Sequence, residues 1–307
     1  NSLFRLLVGQ MPLNLTNSTF EFVHVHDDGN LLEIASNDLR FENCRFSNIT
    51  VEDRVTGAFL ILTPNFVLRR SVFDTIVVED ESQGGILSIF EDRNLALPVT
   101  ILMHDNMIVS CHSTSGSFLA LSSLTVNFSG LNNTFIDNSL DLFNGASILL
   151  TDVIMQSFVF NNFTIIFNEM LNQYYSNFLF CARCSGLMNI GNGTLLVKNN
   201  SNGFFINVTS SFAFAANITD ITVIGEDPLP ADTSLNLFDW LYTNVGLLYE
   251  IREENALPNF TFYATDSGEL SMRNGYFKDL QIANLNIFQL QCGLIPEVNL
   301  TNISFEN

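Results

Sequence analysis

The amino-acid sequence predicts an all-β solenoid of roughly ten rungs, and three observations lead to this fold class. One short phrase of apolar and small polar residues recurs along the chain. Each clear copy is followed by a turn and a second apolar strand, and signals for helices are scarce. Because such short strands cannot bury an apolar face alone, successive units must stack to form a continuous core. We therefore expect a single domain over residues 1–307.

The recurring phrase is an apolar residue followed within two or three positions by Asn, Asp or Thr, as in "FENCRFSNIT". Its copies recur at intervals of 25 to 34 residues, apart from one interval of 117 residues that equals about four units. The pattern does not define the rung register between residues 161 and 276. The apolar anchors are Phe20, Phe46, Phe73, Met107, Phe135, Phe160, Phe277 and Phe305.

A turn of small residues follows each of four anchors, and an apolar strand follows the turn. The segments "VTGAFLIL", "QGGILSIF", "TSGSFLAL" and "FNGASILL" share this pattern. β-branched and aromatic residues dominate, and the i, i+4 charge pairs typical of helices are missing. The exception is residues 226–258, where a loop-like composition precedes a segment that we interpret as an insertion, either a loop or a helix.

The phrases "FENCRFSNITVEDRVTGAFLIL" and "SVFDTIVVEDESQGGILSIF" resemble the right-handed parallel β-helix repeats of pectin-lyase-like and polymorphic-outer-membrane-type proteins. In those families an F-x-N phrase is followed by a Gly-Gly or Gly-Ala turn and an apolar strand. The resemblance covers most of the chain as a pattern, and it implies a right-handed parallel β-helix. It says little about function, because one fold hosts many unrelated activities.

The triplet N-x-[ST] occurs thirteen times, whereas independent placement of these residue types would give about six copies. No copy has Pro in the middle. The excess indicates a eukaryotic protein that is secreted or exposed at the cell surface and carries N-linked glycans. The predicted glycosylation sites are Asn14, Asn17, Asn48, Asn127, Asn132, Asn162, Asn192, Asn199, Asn207, Asn217, Asn259, Asn299 and Asn302.

The Asn that follows an anchor has two competing orientations. In stacked strands such residues form internal ladders of side-chain amides. Asn48 and Asn162 are also glycosylation triplets, however, and one side chain cannot both stack inside the coil and carry a sugar. Thr75 and Asp137 stand at equivalent places, which favours the outward orientation.

Five cysteines include one CxxC sequence, Cys181-Ala-Arg-Cys184. There is no second CxxC and no nearby His, so a zinc ribbon is not supported. A redox motif would need a βαβ context, which the pattern lacks. We therefore predict a local disulfide between Cys181 and Cys184. The odd number of cysteines leaves at least one thiol unpaired or paired outside this segment.

The charge balance is strongly acidic, with 32 acidic and 12 basic residues and a formal net charge of −20. Such a surface repels phosphate backbones and anionic lipids, so we expect neither a nucleic-acid partner nor membrane contact by this segment. No apolar run reaches the length of a membrane span. The sequence begins without Met or a signal peptide and ends inside a repeat phrase, so we expect a segment of a longer chain.

Catalytic motifs of related enzymes are not recognisable. The G-H-G, R-I-K and N-T-D phrases of polygalacturonase-type enzymes do not occur, and Asp27-Asp28 is the only Asp-Asp pair. An acid set with an Arg base, as in lyases of this fold, cannot be assembled from the thinly spread Arg residues. The sequence therefore predicts a non-catalytic protein without a cofactor.

The segment "HVHDDGN" places His24 and His26 on one face of a strand, where they could hold Zn²⁺ together with Asp27 or Asp28. The competing interpretation is two solvent-facing His before an Asp-Gly turn. We adopt the second interpretation and predict no metal site. The acidic residues 79–81 lack the spacing of a calcium loop and are interpreted as a solvated turn.

The leading functional hypothesis is an extracellular structural protein: a scaffold, an adhesin-like module or a filament-forming module. A β-helix that stops in mid-phrase exposes a strand edge and an apolar end, so we expect axial or head-to-tail self-association, or contact with other surface proteins. Two alternatives remain open. One is a polysaccharide-binding or polysaccharide-degrading enzyme of the pectin-lyase-like class, and the other is a receptor ectodomain.

Overall fold

The structure is a computed structural model in which every described element is a β-strand and every described strand pairing is parallel. This confirms the predicted all-β class and shows a parallel β-solenoid. The described residues are 4–26, 30–52, 57–79, 85–90, 98–113, 118–140, 146–167, 176–197, 203–209, 214–225, 234–241, 269–278, 284–291 and 297–306.

The described strands are between 2 and 14 residues long. In chain order they are β1 (Phe4–Thr16), β2 (Thr19–Val25), β3 (Leu32–Glu42), β4 (Arg45–Glu52), β5 (Gly57–Leu62), β6 (Asn65–Arg69), β7 (Val72–Glu79), β8 (Gly85–Phe90), β9 (Val99–His104), β10 (Met107–Val109), β11 (His112–Ser113), β12 (Leu119–Ser122), β13 (Thr125–Leu131), β14 (Thr134–Ile136), β15 (Ser139–Leu140), β16 (Ala146–Thr151), β17 (Ile154–Phe167), β18 (Ser176–Ala182), β19 (Ser185–Val197), β20 (Gly203–Thr209), β21 (Phe214–Gly225), β22 (Ser234–Leu241), β23 (Glu269–Lys278), β24 (Asn284–Gln291) and β25 (Glu297–Glu306). Within the described ranges, no helix has the length and hydropathy needed to span a membrane.

The strands stack in three columns, and the chain visits each column in turn. The first column contains the starts of β1 and β3, then β5, β8, β12, β16, β18, β20, β22 and β24. The second contains the ends of β1 and β3, then β6, β9, β13 and the first halves of β17, β19, β21, β23 and β25. The third contains β2, β4, β7, β10 with β11, β14 with β15, and the second halves of the last five. The right-handed winding and the count of roughly ten rungs stay predictions.

The core is a column of apolar side chains that runs from rung to rung. Along each strand, buried residues alternate with more exposed ones, as β9 shows with its repeating pattern of buried and half-buried side chains. In the third column the rings of Phe20 and Phe46 stack with centroids 5.2 Å apart, and those of Phe46 and Phe73 stack at 4.8 Å. These rings are three of the anchors predicted from the repeat, so the apolar anchor is confirmed as a core position here.

Tight turns with left-handed backbone join the second and third columns. Asn and Asp tolerate this conformation better than other residues with a side chain, because their short polar groups form local hydrogen bonds. This requirement explains why the repeat is rich in Asn. The turn residues, which we name the Asn corner, have φ between 48° and 59° and are Asn17, Asn43, Arg70, Asp105, Asn132, Asn162, Asn192, Asp220, Asn274 and Asn302.

A second set of amides is buried directly after the Asn corner. The Nδ2 atom of Asn106 donates hydrogen bonds to the Leu68 carbonyl and to Oδ1 of Asn133, each at 3.0 Å. The Nδ2 atom of Asn133 in turn donates to the Met103 carbonyl at 2.7 Å, and Asn106 Oδ1 accepts the Ser71 amide at 3.1 Å. These buried amides are a different set from Asn48 and Asn162, and they satisfy backbone groups that the turns leave unpaired.

The insertion predicted over residues 226–258 lies mostly outside the described residues. Ser234–Leu241 is an exception, because it forms β22 and pairs in parallel with β20 and β24. The helical alternative is therefore wrong for this stretch: pairing with a strand on each side outweighs a local helical pattern. Residues 226–233 and 242–258 are not described, and the single domain over residues 1–307 stays a prediction.

Candidate functional site

His24, His26 and Glu52 form the one group of three metal-ligating side chains found among the described residues, with ligand atoms within 4.8 Å of one another. We name it the His–Glu cluster. His24 lies in β2, His26 follows that strand directly, and Glu52 ends β4. The parallel register pairs His24 with Thr50 and Val25 with Val51, which brings Glu52 beside His26 on the neighbouring strand.

The carboxylate of Glu52 contacts both imidazole rings, one with each of its oxygen atoms. Its Oε1 atom is 2.8 Å from Nε2 of His24, and its Oε2 atom is 2.6 Å from Nδ1 of His26. The ring centroids are 3.8 Å apart. The hydrogen bond with His24, followed by the charges of His26 and His24, holds the pKa of Glu52 below its ordinary value. The side chains of His24, His26 and Glu52 are 49%, 56% and 32% exposed, so solvent reaches all three.

Two imidazole nitrogens and one carboxylate oxygen make a donor set that suits Zn²⁺. The sequence analysis considered the two His with Asp27 or Asp28, which lie outside the described residues, and predicted no metal site. It missed Glu52, because this residue is 26 positions beyond His26 and meets it only through the stacking of two rungs. The repeat spacing is the signal that could have identified Glu52 as a neighbour of His26.

The acidic residues 79–81 were interpreted as a solvated turn. The first of them is in register with Glu52, and the other two are not described.

Five of the predicted glycosylation sites are exposed residues of the Asn corner. Asn48 occupies a similar turn within the third column, with φ of 52°, and it is also exposed. The outward orientation expected for Asn48 and Asn162 is thereby confirmed, while glycan occupancy stays a prediction. The five sites in the Asn corner are Asn17, Asn132, Asn162, Asn192 and Asn302.

Four further sites, Asn14, Asn127, Asn217 and Asn299, lie on the outer side of the second column. Nine of the eleven described sites therefore lie on one side of the solenoid, the outer face of the second column together with the Asn corner. We name this side the Asn-rich face. The two exceptions are Asn48 in the third column and Asn207 in β20 of the first column. Asn199 and Asn259 lie outside the described residues.

Side-chain amides on the Asn-rich face also bond to one another from rung to rung. The Nδ2 atom of Asn132 donates to Oδ1 of Asp105 at 2.8 Å, and that of Asn302 donates to Oδ1 of Asn274 at 2.8 Å. A glycosylated amide keeps one N–H, so these bonds are compatible with an attached sugar. Asn217 is more engaged, since its Oδ1 atom accepts the Ser271 hydroxyl at 2.7 Å while its Nδ2 atom faces Oδ1 of another Asn on the preceding rung.

The four described cysteines are buried thiols. Cys181 in β18 and Cys184 at the following turn hydrogen-bond through their side chains, and burial raises the pKa of Cys181 well above its ordinary value. Burial likewise raises the pKa of Cys111 to about 12. Because the thiolate is the reactive form, these shifts disfavour nucleophilic chemistry. The structure brings the Cys181 and Cys184 side chains together as the predicted disulfide requires, and the bond itself stays a prediction.

The stacked columns and their parallel register establish the β-solenoid architecture from the chain itself. The pectin-lyase-like family suggested by resemblance is narrower than this architecture, because unrelated proteins share one fold. Comparisons with protein-family models, with curated proteins and with solved structures find no match for this chain.

Proposed function

We propose that this chain is a secreted or surface-exposed, N-glycosylated structural protein without catalytic activity: a scaffold, an adhesin-like module or a filament-forming module. We also propose a more specific fold, a right-handed β-helix of roughly ten rungs that is similar to pectin-lyase-like proteins. The observation that carries the proposal is the Asn-rich face, where nine of the eleven described glycosylation triplets share one side of the solenoid.

Glycosylation on the Asn-rich face suits a structural role. Exposed Asn residues at tight turns are accessible acceptors for N-linked sugars. Sugars there would cover one side of the solenoid and keep it soluble. The first and third columns would carry few sugars, because Asn48 and Asn207 are the two triplets that lie in their described strands. A rod that is shielded on one side and bare on the others is suited to ordered contacts with other proteins.

The first and last strands supply a second argument, which concerns self-association. Phe4 and Leu6 on β1, and Leu300 and Phe305 on β25, are between 37% and 62% exposed. They occupy inward positions, because their partners in register on the neighbouring strands are fully or almost fully buried. These partners are Leu32, Ile34, Met272 and Phe277. A further rung would cover the exposed side chains, and we propose that a second copy of the chain supplies it by axial stacking.

The assembly is tested by sedimentation velocity and electron microscopy of the glycosylated 307-residue chain. We expect concentration-dependent oligomers that elongate along one axis, because stacking buries the apolar end residues. The double variant Leu300→Lys with Phe305→Lys should sediment as a monomer. The matched control is Met107→Lys with Ile154→Lys, which replaces exposed apolar residues away from the first and last strands and should leave assembly unchanged.

A chain that stays monomeric at every concentration would contradict the self-association proposal. Such a monomer would direct attention to the receptor alternative. If it also bound or cleaved an acidic polysaccharide, the enzyme alternative of the pectin-lyase-like class would replace the structural one. Equal loss of assembly in the end variant and in the control variant would show that the contact does not involve the ends.

A further inference from the structure

We propose that His24, His26 and Glu52 form a binding site for one Zn²⁺ ion or a similar divalent transition-metal ion. This proposal replaces the expectation, drawn from the sequence, that the chain binds no metal. It is independent of glycosylation, because none of the three residues belongs to the Asn-rich face, and its test measures zinc binding rather than assembly.

The backbone holds the three donors in place. β2 and β4 are adjacent parallel strands whose register is continuous from His24 to Val25, so the cluster rests on paired strands. The donors Nε2 of His24, Nδ1 of His26 and the Glu52 oxygens are separated by hydrogen-bond distances of 2.8 Å and 2.6 Å. A tetrahedral zinc site separates its donor atoms by about 3.3 Å, given bond lengths of about 2.0–2.1 Å. Each nitrogen needs to move away from its carboxylate oxygen by less than about 1 Å, which the exposure of the side chains allows.

The three side chains are close enough to share one ion. Their ligand atoms lie within 4.8 Å of one another, and one oxygen of Glu52 faces each ring. A single divalent cation can therefore contact a nitrogen of each ring and the carboxylate. The carboxylate offsets part of the charge of the metal, and the formal net charge of −20 attracts cations to the surface.

The donor set selects the class of metal. Imidazole nitrogens suit zinc, copper and nickel, whereas Ca²⁺ and Mg²⁺ prefer sites built from oxygen atoms. Three protein ligands would leave a fourth position for water or for a group from a partner. Bound in this way, the ion would cross-link β2 to β4 and so tie two successive rungs together at the outer face of the third column.

The test is calorimetric titration with ZnCl₂ of the glycosylated chain, purified without a histidine tag and stripped with a chelator. We expect one Zn²⁺ per chain, and no heat of binding with CaCl₂. His24→Ala, His26→Ala and Glu52→Gln should each weaken zinc binding at least about tenfold. Matched controls are Glu33→Gln, which removes a carboxylate paired with Arg5 between adjacent strands, and His104→Gln, which removes an imidazole elsewhere. Both controls should bind as the wild-type chain does.

X-ray absorption spectroscopy of the zinc complex distinguishes this cluster from the cysteines. We expect nitrogen and oxygen neighbours at about 2.0–2.1 Å, with no sulfur near 2.3 Å. Circular dichroism of the variants checks that they are folded, as the exposure of the three side chains predicts. A wild-type chain that binds no zinc, binding that survives all three substitutions, or a sulfur neighbour would overturn the proposal.

Discussion

The left-handed backbone at the turns restricts which residue types can occupy these positions of the repeat. In the Asn corner seven of the ten residues are Asn and two are Asp, in agreement with their tolerance of positive φ. The turn inside the third column is less uniform, since Phe22 and Thr75 adopt φ of 56° and 53°. For a β-branched or bulky side chain this conformation is strained, because Cβ crowds the backbone.

Replacement of Thr75 by Asn should therefore stabilise the chain. We expect the free energy of unfolding to rise by about 0.5–1 kcal/mol, because Asn relieves part of a left-handed strain of about 1–2 kcal/mol. The matched control is Thr100→Asn in β9, where the residue is in an extended strand and the change should be neutral or destabilising. Urea unfolding monitored by circular dichroism measures both, and equal effects at the two positions would contradict the strain argument.

At the scale of elements, stacked aromatic rings join successive rungs. Phe46 lies between Phe20 and Phe73 and is fully buried. Its ring also meets Phe59 of the first column edge to face, with centroids 5.0 Å apart. With Phe41 as a further partner at 5.7 Å, the ring contacts four aromatic neighbours, so the core depends on each rung having a filled anchor position.

We expect Phe46→Ala to lower the free energy of unfolding by about 3–5 kcal/mol, because it leaves a cavity at the centre of the stack. Phe22→Ala is a matched control on a neighbouring strand, since Phe22 is 80% exposed. The control should change stability by less than about 0.5 kcal/mol. Chemical denaturation measures the two variants, and a similar loss in both would show that the ring stack does not hold the rungs together.

The repeat predicted the elements well and their register only in part. Phe20, Phe46, Phe73 and Phe135 do share one stacked position in the third column, but Met107 does not. Ile108 takes that position, and Met107 faces outward. Besides the Asn corner, five described rungs have a left-handed turn inside the third column, at Phe22, Asn48, Thr75, Ser110 and Asp137, so a copy of the phrase can be assigned to either turn. Only the pairing between strands shows at which of the two turns a given copy of the phrase lies.

The same ambiguity displaced a second anchor. Phe160 lies in the second column, and Ile165 is the residue in register with Phe135. Its turn residue, Asn162, accordingly belongs to the Asn corner, whereas Asn48 belongs to the third column.

The sequence did not identify Glu52 as a member of the candidate metal site, for a related reason. His24 and His26 are close in sequence, but Glu52 contacts them from the next rung. A periodic pattern locates the boundary between two rungs only approximately.

At the scale of the whole molecule, an acidic chain carries most of its glycosylation triplets on one side. The net charge of −20 disfavours polyanionic partners, and the Asn-rich face concentrates the glycosylation triplets. The His–Glu cluster belongs to the third column, away from most of these triplets. The molecule therefore divides into a side suited to glycans and sides suited to contact with metal ions and proteins.

The most direct test of this account is the occupancy of each glycosylation triplet in chain isolated from its native source. Enzymatic removal of N-glycans in heavy-oxygen water marks each occupied Asn for mass spectrometry. We expect sugars at the exposed corner residues Asn17, Asn132, Asn162, Asn192 and Asn302. Occupancy should be lower at Asn217, which is half-buried and uses both Oδ1 and Nδ2 in hydrogen bonds. A chain with no marked Asn in the corner would contradict the extracellular glycoprotein that we propose.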